Sequence, residues 1–283
     1  MEATKWKREK VDEVMARAAE HAGRQEQFQQ DRMKFFSQKG HILESSCRHS
    51  DDVSVPDCLK CKYKSELELE ELPEMVFARN RLKISFGNDK FIELNALDAL
   101  KMVISDRLPD VKVGASTVWQ STRMDRIQQI NEHQKPFDWT FTTHYKGTIE
   151  GLKVEPTTER IDMDRLRRHD HQIAFTTIVP LFEDELADHG TAELVAKIRV
   201  MKEGYFLCVL RFYMRVDKVL IRMCDTRIVG NTTDSYFIRE WTLREAKMED
   251  LMGVELPNLL NPDLAWQFLP VIREEIDKIS TEN

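Results

Sequence analysis

Two short strings carry soft metal ligands: Cys47-Arg48-His49, followed by Cys58-Leu59-Lys60-Cys61. Three thiolates and one imidazole make a tetrahedral zinc set, because Zn²⁺ takes deprotonated sulfur and nitrogen donors and C-x-x-C is a common half-site. The C-x-H half is atypical in spacing, and an exposed polar loop with free thiols is the competing expectation. A second constellation is His169-Asp170-His171. On a strand its two rings would share a face. With His189 or Asp184 they would form a His/carboxylate metal site of oxygenase or hydrolase type. A polar helix end leading into a strand accounts for the same residues. The segment Phe182-Glu183-Asp184-Glu185-Leu186-Ala187-Asp188-His189-Gly190 gathers four acids and a histidine. Paired carboxylates can do acid–base work or bind Ca²⁺, but the Gly-centred alternation of an EF-hand loop is missing, and a solvated connection between strands is the default.

The familiar catalytic signatures are absent. The chain has no G-x-x-x-x-G-K-[ST] loop, no G-x-G-x-x-G, no G-x-S-x-G and no H-E-x-x-H. The basic residues are more informative. Lys197 and Arg199 alternate along one apolar run, Arg211 and Arg215 share parity along the next, and Arg222 lies on a third. Adjacent strands would line one sheet face with these cations. Such a face is either ordinarily solvated or a groove for an acidic, carboxylate-ended peptide that the arginine fork can grip.

The elements that must carry these groups read as follows. Residues 1–40 are charged and Gln-rich, with Val11, Val14, Met15, Ala18, Ala19 and Ala22 at helical spacing, which predicts a weak helix or a disordered extension. Residues 41–72 are an equally polar insertion or loop with a short helix. A single α+β domain is expected over 73–283, mainly antiparallel sheet covered by a few helices. Its strands are Val76–Ala78, Leu82–Phe86, Phe91–Leu94, Phe137–Tyr145, Ile173–Phe182, Leu194–Met201, Phe206–Val216, Val219–Arg227 and Tyr236–Trp241. The short links Lys202-Glu203-Gly204 and Asp217-Lys218 make neighbours antiparallel. Helices are predicted from Asn95, as cap, to Leu108, over Met163–His169, over Arg244–Met252 and over Pro262–Ile279.

Composition narrows the class. The 283 residues are 41% hydrophobic and 32% charged, with only 10 Gly and 9 Pro, so a sizeable core with a polar appendage is expected. A net charge of −7 argues against nucleic acid as a partner. Five cysteines, two of them in apolar runs, fit a reducing compartment. The start of the chain lacks an apolar signal region and no run nears the length of a membrane span, so a cytoplasmic site, with a nuclear pool allowed, is expected.

Several ordered strings together resemble one family: Leu72-Pro73-Glu74-Met75, Glu93-Leu94-Asn95-Ala96-Leu97-Asp98-Ala99-Leu100, Lys135-Pro136-Phe137-Asp138-Trp139-Thr140-Phe141-Thr142-Thr143 and Tyr145-Lys146-Gly147-Thr148. Pro156-Thr157-Thr158-Glu159-Arg160-Ile161-Asp162, the acidic 182–190 segment, Lys197-Ile198-Arg199-Val200-Met201 and Val219-Leu220-Ile221-Arg222-Met223-Cys224-Asp225-Thr226-Arg227 complete the set. They resemble the TIP41-like family, also called TOR signalling pathway regulator-like proteins, over roughly residues 72–270. None is a catalytic motif. The resemblance implies a non-enzymatic regulator without a cofactor that binds the catalytic subunit of type 2A protein phosphatases, including its C-terminal tail. It also implies work beside an alpha-four type regulator in TOR and stress signalling. The positions that match the family's partner-binding residues are Asp98, Ile161, Met223 and Asp225. Neither the first 30 or so residues nor the Cys47–Cys61 segment has a counterpart in the family pattern.

Overall fold

The computed structural model describes residues 23–47, 58–67, 69, 71–87, 89–103, 140–168 and 172–281. Two antiparallel sheets pack face to face. The smaller has five strands in the order β1-β2-β4-β5-β6, formed by Arg24–Gln30, Met33–Lys39, Arg81–Phe86, Phe91–Asn95 and Thr148–Glu150. The larger has eight in the order β3-β8-β9-β10-β11-β12-β13-β7. Its strands β3 and β7 are short, Met75–Val76 and Lys153–Pro156. The rest are long: β8 Ile173–Asp184, β9 Gly190–Met201, β10 Tyr205–Val216, β11 Leu220–Asn231, β12 Tyr236–Lys247 and β13 Val271–Ser280. Short helices attach at the margins: α1 Leu59–Glu66, α2 Ala96–Lys101, α3 Met163–Arg167, α4 Leu256–Leu260 and α5 Pro262–Ala265. The α+β expectation, mainly antiparallel sheet in a single domain with few helices, is met.

Alternation explains the packing. In β10 the even positions Phe206, Cys208, Leu210, Phe212 and Met214 point inward to the main core, together with Met33, Phe35, Leu82 and Ile84 of the small sheet. Phe35 meets Phe206 edge-on at 5.7 Å, and Phe86 lies on Phe237 at 4.9 Å. These inter-sheet aromatic contacts add to the area they bury.

Four expectations are corrected. Residues 24–39 are not a weak helix or disordered extension but a hairpin, β1 against β2, turning at Asp31-Arg32 with Asp31 in the left-handed region (φ 50°). Met33 and Phe35 on β2 are fully buried, so the core begins well before Met75. The apolar stripe Val11–Ala22 lies outside the described residues. Residues 140–147 are not strand: Phe141 takes φ 54° and Val103↔Thr143 is an isolated bridge. Consecutive Thr140, Phe141, Thr142 and Thr143 are all buried, and none of them lies in a strand of either sheet. The Arg244–Met252 helix is absent because β12 runs on to Lys247 and ends in a 3-10 turn, Met248–Leu251. The helix over Pro262–Ile279 stops at Ala265, and β13 follows it, pairing with β12 on one side and β7 on the other. Its Ile272, Ile276 and Ile279 copy a helical stripe, but β12 pairs with it along its length and β7 with its last residues, Asp277–Ser280, and tertiary pairing overrides propensity.

Candidate functional site

The four partner-binding candidates fall into two places. Asp98 belongs to the small-sheet layer. Asn95 ends β5 and caps α2, its side-chain oxygen accepting from the Asp98 amide at 2.9 Å, as the sequence predicts. The Asp98 carboxylate in turn accepts from Asn95 Nδ2 at 2.9 Å and Thr148 Oγ1 at 2.5 Å, and Tyr145 Oη joins Thr148 at 2.9 Å. Asp98 is half-buried, so it is both a surface group and a brace between α2 and β6. Asp98→Lys, which removes these acceptors beside a helix N-terminus, is expected to cost about 1–2 kcal/mol of stability. Urea unfolding checks this, and Asp98→Asn is the gentler probe for binding.

Ile161, Met223 and Asp225 lie on the outer face of the large sheet. Register puts Arg211 beside Asp225, Tyr213 beside Met223, and Val209 beside Arg227, so odd positions of β10 and β11 share this face. Ile161 follows β7 and is buried on Tyr205, Val229 and Ile238, its amide donating to Glu240 Oε1 at 2.8 Å. Met223 is fully buried with Tyr213, Ile221 and Ala246, under Leu251, Leu259, Ala265 and Leu269. The segment after β12 therefore folds back as a strap across this face. Sheet side chains hold its carbonyls: Tyr213 Oη donates to Leu259 O at 2.7 Å, Arg211 to Pro262 O at 2.8 Å and Arg244 to Leu269 O at 2.7 Å.

Between the two apolar clusters runs a charged band. Arg211 grips Asp225 with both fork nitrogens, at 2.7 and 2.8 Å. It also reaches Asp263 on α5 at 2.7 Å, and Lys197 meets the same carboxylate at 3.0 Å. Arg227 and Arg244 lie 5.4 and 5.7 Å from the Trp266 ring, within cation–π reach. Burial, and Arg227 beside it, hold the Arg244 guanidinium below its usual range. Burial, and Glu183 across the strand, hold the Glu193 carboxyl above its usual range.

Of the five cations predicted to line one face, Lys197, Arg199, Arg211 and Arg215 do so. Arg222 does not: it pairs in register with Met214, on the inward side of β10. There it donates to Glu245 at 2.6 Å and to Thr142 Oγ1 at 2.8 Å. The face is less bare than a receptive groove would be, since Arg215 holds Asp217 at 2.6 Å and Lys197 and Arg211 hold Asp263. Sequence reading missed Arg227, Arg244, Asp263 and Trp266. Strand parity carried past Trp241 would have set Arg244 beside Met223.

His169, Asp170, His171 and His49 lie outside the described residues. Asp184 has a structural task, accepting from the amides of Glu74 at 2.9 Å and Leu186 at 2.6 Å. Among the described residues, the one group of three or more His, Cys, Asp or Glu with ligand atoms close enough to share an ion is Cys47, Cys58 and Cys61.

The outward side of the strap is apolar. Of the twelve large hydrophobic residues exposed among those described, seven lie between Met252 and Ile272, including Leu256, Leu260, Leu264 and Phe268. That density is greater than the scattered single exposures found elsewhere among the described residues.

The TIP41-like family model matches residues 75–252, and the chain belongs to that family. A "TIP41-like protein" of Caenorhabditis elegans is 64% identical over 275 residues, covering 97% of each chain. The human "TIP41-like protein" is 41% identical over 250 residues, covering 87% of this chain and 86% of its own. The Saccharomyces cerevisiae protein named "Type 2A phosphatase activator TIP41" is 37% identical over 202 residues, covering 64% of this chain and 55% of its own.

Proposed function

We propose that this chain is a non-catalytic regulator that binds the catalytic subunit of a type 2A protein phosphatase, including its C-terminal tail. The observation that carries the reading is the apolar ridge of the strap, seated directly over Met223 and Asp225. The names of the yeast relatives support the phosphatase as partner. In this arrangement the ridge supplies the apolar anchors that a stable interface needs at its centre. Met223 and Asp225 act beneath it as supports, and Asp98 acts from the other layer. Asp263, exposed and bound to Lys197 and Arg211, occupies the place that an acidic tail would take by exchange. The same reading expects the encounter in the cytoplasm and leaves room for an alpha-four type regulator in the same complex.

Titration calorimetry against the catalytic subunit tests this, with its tail intact and then removed. Submicromolar binding that weakens on tail removal is the expected result, and parallel activity assays give the direction of regulation. Binding indifferent to the tail would keep the partner and discard the exchange at Asp263. No binding to either form would overturn the proposal.

A further inference from the structure

The loop after β2 and the N-terminus of α1 bring three thiols together. Cys47 Sγ lies 3.7 Å from Cys61 Sγ and 3.8 Å from Cys58 Sγ, and all three ligand atoms fall within 4.8 Å of one another. A tetrahedron with zinc–sulfur bonds of about 2.3 Å has sulfur–sulfur edges of about 3.8 Å. These two separations match that edge and are far beyond a disulfide bond of about 2.05 Å. The two remaining cysteines, Cys208 and Cys224, are buried in the strands and take no part.

Local structure fits a ligand set rather than a packed core. Cys58 is the N-cap of α1, yet its side chain makes no capping hydrogen bond. The i, i+3 spacing puts Cys61 one turn on, beside the same helix N-terminus. All three cysteines are only half-buried, so the cluster is not explained by apolar burial. Further along α1, Tyr63 and, just past its end, Leu67 are buried in the main core, which holds this end of the helix firmly. Glu66 at its last turn pairs with Lys101 of α2, the helix that carries Asp98.

We propose that Cys47, Cys58 and Cys61 bind one zinc ion that staples the loop after β2 to the head of α1. On binding, each thiol gives up its proton to solvent and the sulfur lone pair goes to the metal. The fourth position falls to water or to a group outside the described residues, and His49 is the nitrogen donor that the sequence offers. The site lies outside residues 75–252, the part that the family model matches, and it stands independently of the phosphatase reading.

The test uses the full chain, purified under reducing conditions without added metal and passed through a gel-filtration column in weak chelator. About one equivalent of zinc retained per chain is expected. Replacing zinc by cobalt should give the visible absorption of a tetrahedral site, with a near-ultraviolet thiolate-to-cobalt band sized for three sulfurs. Cys58→Ser should shrink that band by about a third, and His49→Ala should leave it intact while shifting the visible bands if His49 is the fourth ligand. Unshifted visible bands would assign that position to water and keep the three-thiol site. Stripping the metal should lower the melting temperature. Zinc well below half an equivalent, a cobalt spectrum without the thiolate band, or a disulfide among these cysteines under reducing purification would each overturn the proposal. The wild-type spectrum keeps it falsifiable even if Cys58→Ser fails to fold.

Discussion

Asp225→Ala is expected to lower the unfolding free energy by about 3–5 kcal/mol. The Asp225 side chain is 2% exposed and that of Arg211 10%, so the substitution leaves a guanidinium buried without its bidentate partner. Two circumstances pull the figure toward the lower end. Arg211 keeps the Pro262 carbonyl and the Asp263 carboxylate, and Asp263 is well exposed, so its attraction is screened. The loss reaches beyond one pair, because Arg211 is also the post to which α5 is tied and Arg227 leans on the same carboxylate at 3.4 Å. Removing both charges should be milder: Arg211→Met/Asp225→Ala is expected to be more stable than Asp225→Ala alone, because no charge is left unpaired. A double-mutant cycle in urea checks both statements. If Asp225→Ala unfolds with the midpoint of wild type, the pair does not hold the strap, and Asp225 is free to be a direct contact.

What could be read in the sequence follows from how locally each feature is encoded. Strands β8 to β11 were legible because apolar residues alternate over long runs and the links at Lys202-Glu203-Gly204 and Asp217-Lys218 are too short for anything but antiparallel neighbours. The Asn95 cap was legible for the same reason, since it needs only residues a turn away. Strand β1 was not, because it is an edge strand whose exposed face is Gln25, Gln27 and Gln29, and only the Met33-Lys34-Phe35 alternation on β2 hinted at burial. Strand β13 was hidden because its isoleucines repeat at helical spacing, and the slot between β12 and β7 that captures it is a property of the assembled sheet. Arg222 shows the limit at the site. Adjacency of strands was inferred correctly, but which face a residue takes depends on register, and pairing with Met214 turns it inward. Met223 and Asp225 could be named from the family strings, yet nothing local says that a segment from residues 248–270 lies over them.

Replacing Leu260 and Leu264 together by Ser is expected to weaken phosphatase binding by about 2 kcal/mol or more, roughly thirtyfold. Stability should stay within about 0.5 kcal/mol per site. Both side chains are exposed, at 44% and 39%, so little packing is lost in the free chain. The same atoms at the centre of an interface would be desolvated anchors, and their loss would appear almost wholly in the dissociation rate. Met223→Ala is the contrasting change. Met223 has no exposed surface, so its truncation opens a cavity under Leu259, Ala265 and Leu269 and should cost about 2–5 kcal/mol of stability. Binding should then fall only as far as the strap loosens, and more at higher temperature. Surface-plasmon or calorimetric affinities set beside melting curves for the two variants separate contact from support. If the Leu260/Leu264 variant binds as wild type while Met223→Ala binds poorly with an unchanged melting curve, the strap is not the contact surface. Met223 would then have to be uncovered for the partner to reach it.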